Sequence, residues 1–170
     1  MGKSHDLATM ASDGFTFTGA VTHGGIVTNT AQPAFSAKLN GNQSSLAPGD
    51  NDVIVFDSEI FDQGGNYATT GIFTAPVTGR YQFNSNLYIN SVDADTSYYQ
   101  MLLVTSNRTY YGIMDPRAFD QDAAQMSIQI SVLADMDAND TAKVQLQLGG
   151  GGATQSSIYN NSNFSGYLVG

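Results

Sequence analysis

The chain has 170 residues, with 15 acidic and 6 basic side chains and a formal net charge of −9. This length fits one domain with its own hydrophobic core. The acidic balance argues against nucleic-acid binding, which needs a basic surface, and against electrostatic attachment to anionic membranes. There is no cysteine, which excludes a disulfide framework. The sequence contains no run of about 18 apolar residues, so no membrane insertion is predicted.

The residue types predict an all-β protein. Thr, Val, Ile, Tyr, Phe, Gly, Asn and Ser are abundant, and Glu59 is the only glutamate. Strong helix formers are scarce, and no segment longer than about ten residues keeps a helical apolar stripe. About ten short strands at regular spacing are typical of a sandwich, jelly roll or barrel.

The N-terminal region is predicted to lie outside the compact domain. Residues 1–13 carry no pattern and are predicted to be disordered or vector-derived. Residues 14–32 contain short apolar segments such as Phe15, Phe17 and Ile26-Val27, separated by glycines. They predict a short β stem or linker shared by three chains. A single strand laid along the domain is the alternative. The domain itself is predicted over residues 33–170.

Residues 70–90 contain the clearest strand signal in the chain. Tyr81, Phe83, Leu87 and Ile89 alternate with polar residues. This period of two predicts a strand of about ten residues with one buried and one polar face. Pro76 and Gly79 place the preceding turn of the hairpin.

The later strands complete the predicted core. Residues 98–105 are apolar on both faces, which predicts a strand that is buried on both faces. In residues 125–133, apolar and polar residues alternate regularly. The apolar residues 164–169 predict a central final strand, and Gly149–Gly152 a flexible loop. The residues expected in the core or in a trimer contact are Phe35, Phe73, Tyr81, Phe83, Tyr99, Met101, Leu103, Phe164 and Tyr167.

The order of several motifs resembles the globular C1q domain of the C1q/tumour-necrosis-factor superfamily. These motifs are P-A-F-S-A at 33–37, V-F-D at 55–57, Tyr67, T-G-I-F-T-A-P at 70–76, G-R-Y-Q-F at 79–83, the turn at Asn139-Asp140 and F-S-G-Y-L at 164–168. The resemblance implies a ten-strand jelly roll that assembles as a homotrimer. Such a trimer accounts for strands that are apolar on both faces.

The chain departs from animal members of this family in what precedes the domain. No collagen-like repeat is present, and residues 25–35 (G-I-V-T-N-T-A-Q-P-A-F) instead resemble the junction of a bacteriophage tail-fibre or virion protein. We therefore expect a binding head in a virion or outside the cell. It would recognise a cell-surface glycan or protein, with its ligand contacts in loops 91–97 and 115–122. A structural trimerisation or fibre-capping module and a secreted bacterial adhesin are the alternatives.

Loop carboxylates are the candidate metal ligands. Asp93, Asp95, Asp120 and Asp122 lie in two polar segments, and carboxylate oxygens suit calcium. The resemblance also implies a calcium at the apex of the trimer. The alternative is that these acids are solvated and promote solubility. His23 on a threefold axis is a weaker metal candidate. We expect no other cofactor.

The candidate ligand-binding residues are Tyr110, Tyr111, Asp115 and Arg117. Tyrosines with a polar tip favour binding sites and interfaces. Catalysis is not predicted. A Ser-His-Asp triad would have to recruit His23 from outside the domain, and no pair of carboxylates is placed for glycoside hydrolysis.

Overall fold

The computed structural model describes residues 31–169. Residues 14–30 of the stem predicted over residues 14–32, with His23, lie outside the described residues, as does the N-terminal segment 1–13. The thirteen strands of the described part are β1 (Ala34–Lys38), β2 (Gln43–Leu46), β3 (Asn51–Val53), β4 (Ser58–Gln63), β5 (Tyr67–Ala68), β6 (Ile72–Thr74), β7 (Gly79–Val92), β8 (Tyr99–Thr105), β9 (Thr109–Met114), β10 (Ala123–Met136), β11 (Thr141–Leu148), β12 (Ser156–Ile158) and β13 (Asn163–Val169). One short 3₁₀ helix, Pro116–Ala118, lies between β9 and β10.

The strands form two antiparallel sheets that pack as a jelly roll. The seven-stranded sheet has the order β2-β12-β7-β13-β1-β4. Strands β12 and β13 pair one after the other with the same edge of β7, and β10 pairs with its opposite edge. The six-stranded sheet has the order β5-β6-β11-β8-β9, with β3 paired to β11. The all-β jelly roll predicted from the sequence is confirmed. Five of the strands, β2, β3, β5, β6 and β12, have only two to four residues. Such short strands account for the difference between the thirteen observed and the ten or so predicted.

Strand β7 is the centre of the larger sheet. It has 14 residues, more than the ten or so predicted, because its polar end pairs with the start of β10, where Val92 lies opposite Ala123. Its alternation is the predicted one, with Tyr81, Phe83, Leu87 and Ile89 fully buried. The final strand β13 lies between β1 and β7, so the prediction of a central C-terminal strand is confirmed.

Aromatic side chains from both sheets meet in the core. The ring centroids of Phe35 and Phe73 are 4.9 Å apart, and those of Phe35 and Phe164 are 5.0 Å apart. Phe83 lies 5.7 Å from Phe73 and 5.9 Å from Phe164. Rings at these separations add to the free energy gained by burying their area. Gly166 on β13 leaves the space that the rings fill, since a Cβ there would lie 2.5 Å from the Phe83 ring.

Candidate functional site

Three loops meet at one end of the sandwich. They are residues 93–98, 115–122 and 149–155, hereafter the apical loops, and they join β7 to β8, β9 to β10 and β11 to β12. Tyr99 pairs with both Met114 and Leu148, which brings all three connections to the same end. The described chain enters near the other end, where Ala34 of β1 pairs with Tyr167. The loops thus lie at the end of the domain away from its entry point.

Asp93 holds two of the apical loops together. Its carboxylate Oδ1 accepts the N–H of Asp95 at 2.8 Å, and Oδ2 accepts the N–H groups of Ala153 and Thr154, each at 2.8 Å. The residue is only 4% exposed. The backbone N–H groups of Thr154, Asp95 and Ala153 favour the ionised form and hold the pKa of Asp93 below its usual range. Asp93 is therefore a structural anchor for the loops.

Buried polar side chains support this anchor from below. The N–H of Asp93 donates to the hydroxyl oxygen of Tyr99 at 3.0 Å, and that hydroxyl lies 2.8 Å from Oγ of Ser156. Ser156 in turn donates to the backbone oxygen of Ser91 at 2.8 Å. The network connects the end of β7, the start of β8 and the start of β12. A satisfied buried network of this kind fixes the position of the loops that it joins.

The predicted flexible loop at Gly149–Gly152 is held in place on this anchor. Gly151 and Gly152 have φ angles of +95° and +70°, which residues other than glycine rarely adopt. A Cβ on Gly152 would lie 2.6 Å from Oδ2 of Asp93. The glycines thus allow the backbone to approach the carboxylate. The run of four glycines was the sequence signal for such an approach, but it did not show what the backbone approaches.

The predicted calcium ligands do not form a common site. Both oxygens of Asp93 face backbone N–H donors, and Oδ1 of Asp122 accepts the N–H of Ala94 at 2.9 Å. Within residues 31–169, no three His, Cys, Asp or Glu side chains form a group that could hold a metal ion. Asp95 and Asp120 are exposed. Both carboxylate oxygens of Asp93 are thus engaged by backbone N–H groups, and the four aspartates do not converge on one point within the described residues. A calcium in the assembled protein stays a prediction.

The predicted ligand-binding residues fall into two separate places. Asp115 and Arg117 are apical and pair with each other at 2.7 Å. The side-chain hydrogen bond from Arg117 lowers the pKa of Asp115. Tyr110 and Tyr111 lie on β9, pointing to opposite faces as neighbours on a strand must. Tyr110 packs against the core, whereas Tyr111 is 61% exposed. The four candidate residues therefore do not lie together, and ligand binding by any of them stays a prediction.

A recess lies beside the second apical loop. Its volume is about 700 Å³, and it is lined in part by Phe119, Asp120, Gln121 and Met126. Phe119 and Met126 are partly buried, and Asp120 and Gln121 are exposed. In this recess, partly buried apolar side chains thus lie beside exposed polar ones.

Eight of the nine residues expected in the core or in a trimer contact are buried. Phe35, Phe73, Tyr81, Phe83, Tyr99, Met101, Leu103 and Phe164 are at most 1% exposed. Tyr167 differs, because 46% of it is exposed on the outward face of the seven-stranded sheet. It is therefore not a core residue. Leu102, on the opposite face of β8 from Met101 and Leu103, is only 7% exposed, in line with a strand buried on both faces.

Comparison with known proteins places the whole described domain in one family. Residues 34–169 match the family model of the C1q domain. The globular domain of zebrafish complement 1qA has a TM-score of 0.59 and 15% sequence identity to the chain, covering 82% of this chain and 98% of that one. No helix within residues 31–169 has the length and apolar character needed to cross a membrane.

Tumour-necrosis-factor relatives share the same fold. Murine APRIL matches with a TM-score of 0.58 at 12% identity, covering 81% of this chain and 99% of that one. Eiger TNF from S. frugiperda matches with a TM-score of 0.51 at 12% identity, covering 82% of this chain and 92% of that one. At these identities the likeness concerns the fold.

Proposed function

The chain belongs to the C1q domain family, and we propose that it is a non-enzymatic, homotrimeric binding head that recognises a host-cell receptor or glycan from the tip of a bacteriophage tail fibre. The observation that carries the trimer is the presence of two different exposed apolar patches on one protomer. The tail-fibre setting is supported by the resemblance of residues 25–35 to the junctions of such proteins.

The first patch lies on the outward face of the seven-stranded sheet. Phe61 on β4 is 52% exposed and Tyr167 on β13 is 46% exposed. Between them lies a trough of about 370 Å³, with Ser36 and Ser165 in its lining. Ser36 pairs with both Phe61 and Ser165, so the trough crosses three neighbouring strands. The exposed aromatic side chains of Phe61 and Tyr167 on either side of the trough are available to pack against a partner.

The second patch lies on the edge strand of the other sheet. Tyr111 and Ile113 on β9 are 61% and 65% exposed, and both point away from the core. A contact between two different patches is heterologous, and such contacts close into a ring when the rotation permits. Three copies would bury both patches of every protomer. Exposed apolar patches of this kind mark interaction surfaces.

The native mass of the purified protein tests the assembly. A trimer of 18.0 kDa chains has a mass of about 54 kDa. We expect Phe61→Asp or Ile113→Asp to shift the protein to the monomer mass, because each places a charge in the contact. Val77→Asp is the matched control, since Val77 is also an exposed apolar residue (46%) but lies in the turn between β6 and β7, outside both patches. A wild-type monomer, or a trimer unaffected by both substitutions, would refute the ring.

The apical loops are the proposed recognition surface. They lie at the end of the domain away from the point where the described chain enters, and Asp93 holds two of them in fixed positions. Three copies at fixed spacing raise the avidity for a repeated surface ligand without new contacts. Within this surface, the recess beside Phe119 and Asp120 is the place where we expect the ligand to make direct contacts.

Binding of the isolated trimer to host cells tests this placement. Arg117→Ala and Asp120→Ala should reduce cell binding. Arg108→Ala is the matched control, because Arg108 is also exposed and also paired with an aspartate, Asp135 at 3.0 Å, but lies at the opposite end of the sandwich. Equal binding by all variants would place the ligand elsewhere. A trimer that binds no host cell would favour the structural trimerisation module.

A further inference from the structure

A groove crosses the end of the sandwich opposite the apical loops. Its volume is about 600 Å³, and its apolar lining is Leu133, Met136, Leu168 and Val169. Leu133 is 53% exposed and Val169 is 39% exposed. Within residues 31–169, Leu133 and Val169 are open to solvent, whereas Met136 is only 2% exposed and Leu168 is partly buried. Hereafter this feature is called the basal groove.

The chain enters the domain beside this groove. The N–H of Leu168 donates to the backbone oxygen of Pro33 at 3.0 Å, and the side-chain amide of Gln32 donates to the backbone oxygen of Leu168. Leu168 also lines the basal groove. The segment that precedes Gln32 therefore starts from a point next to the groove.

The preceding segment has the right reach and chemistry. Ile26 and Val27 stand five to six positions before Gln32, and five extended residues span at most about 17 Å. Residues 14–30 contain no Asp, Glu, Lys or Arg. The charges at the groove are mixed, because Arg80 lies opposite Asp135 in the strand pairing and Asp135 also pairs with Arg108 at 3.0 Å. Such a rim favours an uncharged apolar occupant.

We infer that Ile26-Val27 docks into the basal groove of its own domain and anchors the preceding segment to the head. The two branched side chains cover Leu133 and Val169, which removes apolar surface of both partners from water. Gly24-Gly25, immediately before the pair, gives the backbone freedom to leave the groove in a new direction. This docking requires no second copy, so it stands or falls separately from the trimer.

Disulfide trapping in the full chain tests the docking. The sequence has no cysteine, so Ile26→Cys combined with Leu133→Cys introduces the only two thiols of each chain, and a bond between them within one chain reports the docking. Such a bond needs Cα atoms within about 7 Å of each other. The matched control is Ile26→Cys with Gln129→Cys, because Gln129 lies on the same face of β10, four residues or about 13 Å from Leu133. Val169→Cys provides a second groove position.

Mild oxidation followed by denaturing, non-reducing electrophoresis shows whether a disulfide bond has formed, and whether it lies within one chain or between two. We expect a bond within one chain for the groove pairs, formed roughly ten-fold faster than for the control pair because docking raises the effective concentration. Equal rates for groove and control pairs would overturn the docking. A product at twice the chain mass would overturn it as well, because the groove would then be filled by a second copy. Neither result depends on whether the protein is trimeric.

Discussion

Replacing Asp93 with asparagine removes the charge that joins two apical loops while keeping the size of the side chain. The carboxylate accepts three backbone N–H groups, from Asp95, Ala153 and Thr154. Asparagine has one acceptor oxygen, so at least one of these groups loses its partner. The remaining bonds are made to a neutral acceptor. The substitution therefore tests the anchor itself and leaves the packing around it intact.

The expected loss in the free energy of unfolding follows from the number and kind of hydrogen bonds that the substitution changes. Hydrogen bonds to a charged group contribute about 1.5–3 kcal/mol each, those between neutral groups about 0.5–1.5 kcal/mol, and a buried N–H left unpaired costs about 1–3 kcal/mol. One lost bond and two weakened ones lower the free energy of unfolding by about 3 kcal/mol. The Gly151-Gly152 turn, which Asp93 holds, should open more often than the strands around it.

Denaturant unfolding at one protein concentration measures the loss, because the stability of an oligomer depends on concentration. Asp95→Asn is the matched control, since Asp95 is an exposed acid in the same loop and should change stability by less than about 0.5 kcal/mol. Hydrogen exchange locates the effect, with the amides of Ala153 and Thr154 exchanging faster in Asp93→Asn. If Asp93→Asn and Asp95→Asn unfold at the same denaturant concentration, the anchoring role of Asp93 is refuted.

Two further predictions concern the stability of the protein at low pH and the packing of its aromatic core. The pKa of Asp93 is lowered in the folded protein, so its contribution to stability is present above its unfolded pKa of about 3.9 and is lost as the pH falls through the folded value. Unfolding curves at neutral pH and at about pH 3 should therefore show a smaller acid-induced loss for Asp93→Asn than for the wild type, and an equal loss would contradict this account. In the core, a Cβ at Gly166 would lie 2.5 Å from the Phe83 ring and 2.9 Å from the Phe35 ring. Gly166→Ala should lower the free energy of unfolding by about 1–3 kcal/mol. Gly41→Ala, where nothing lies within 4 Å of the added Cβ, is the control, and similar stability of the two variants would rule out crowding at Gly166.

Strand faces were the part of the fold that sequence patterns predicted best. Tyr81, Phe83, Leu87 and Ile89 alternate with polar residues, and all four are fully buried. The same rule predicted the apolar positions of β8, where Met101 and Leu103 are buried. A strand exposes alternate residues to opposite faces whatever its partners are. Its buried face can therefore be read from a few consecutive residues.

The roles of the loop residues could not be predicted in this way. Asp93 was interpreted as a calcium ligand because a carboxylate in a polar loop has that chemistry. Its actual partners, Ala153 and Thr154, lie 60 and 61 residues further along the chain. Likewise Tyr110 and Tyr111 are adjacent in sequence, but the strand turns one toward the core and leaves the other exposed.

The sequence by itself thus determined the class of the fold, the buried faces of its strands and the family to which the domain belongs. Those properties depend on local periodicity and on short motifs. The tertiary structure alone decided which loops meet, that Asp93 anchors two of them, and that apolar patches remain open on β4, β13 and β9. These features depend on contacts between residues far apart in the chain, and such contacts exist only once the two sheets have packed.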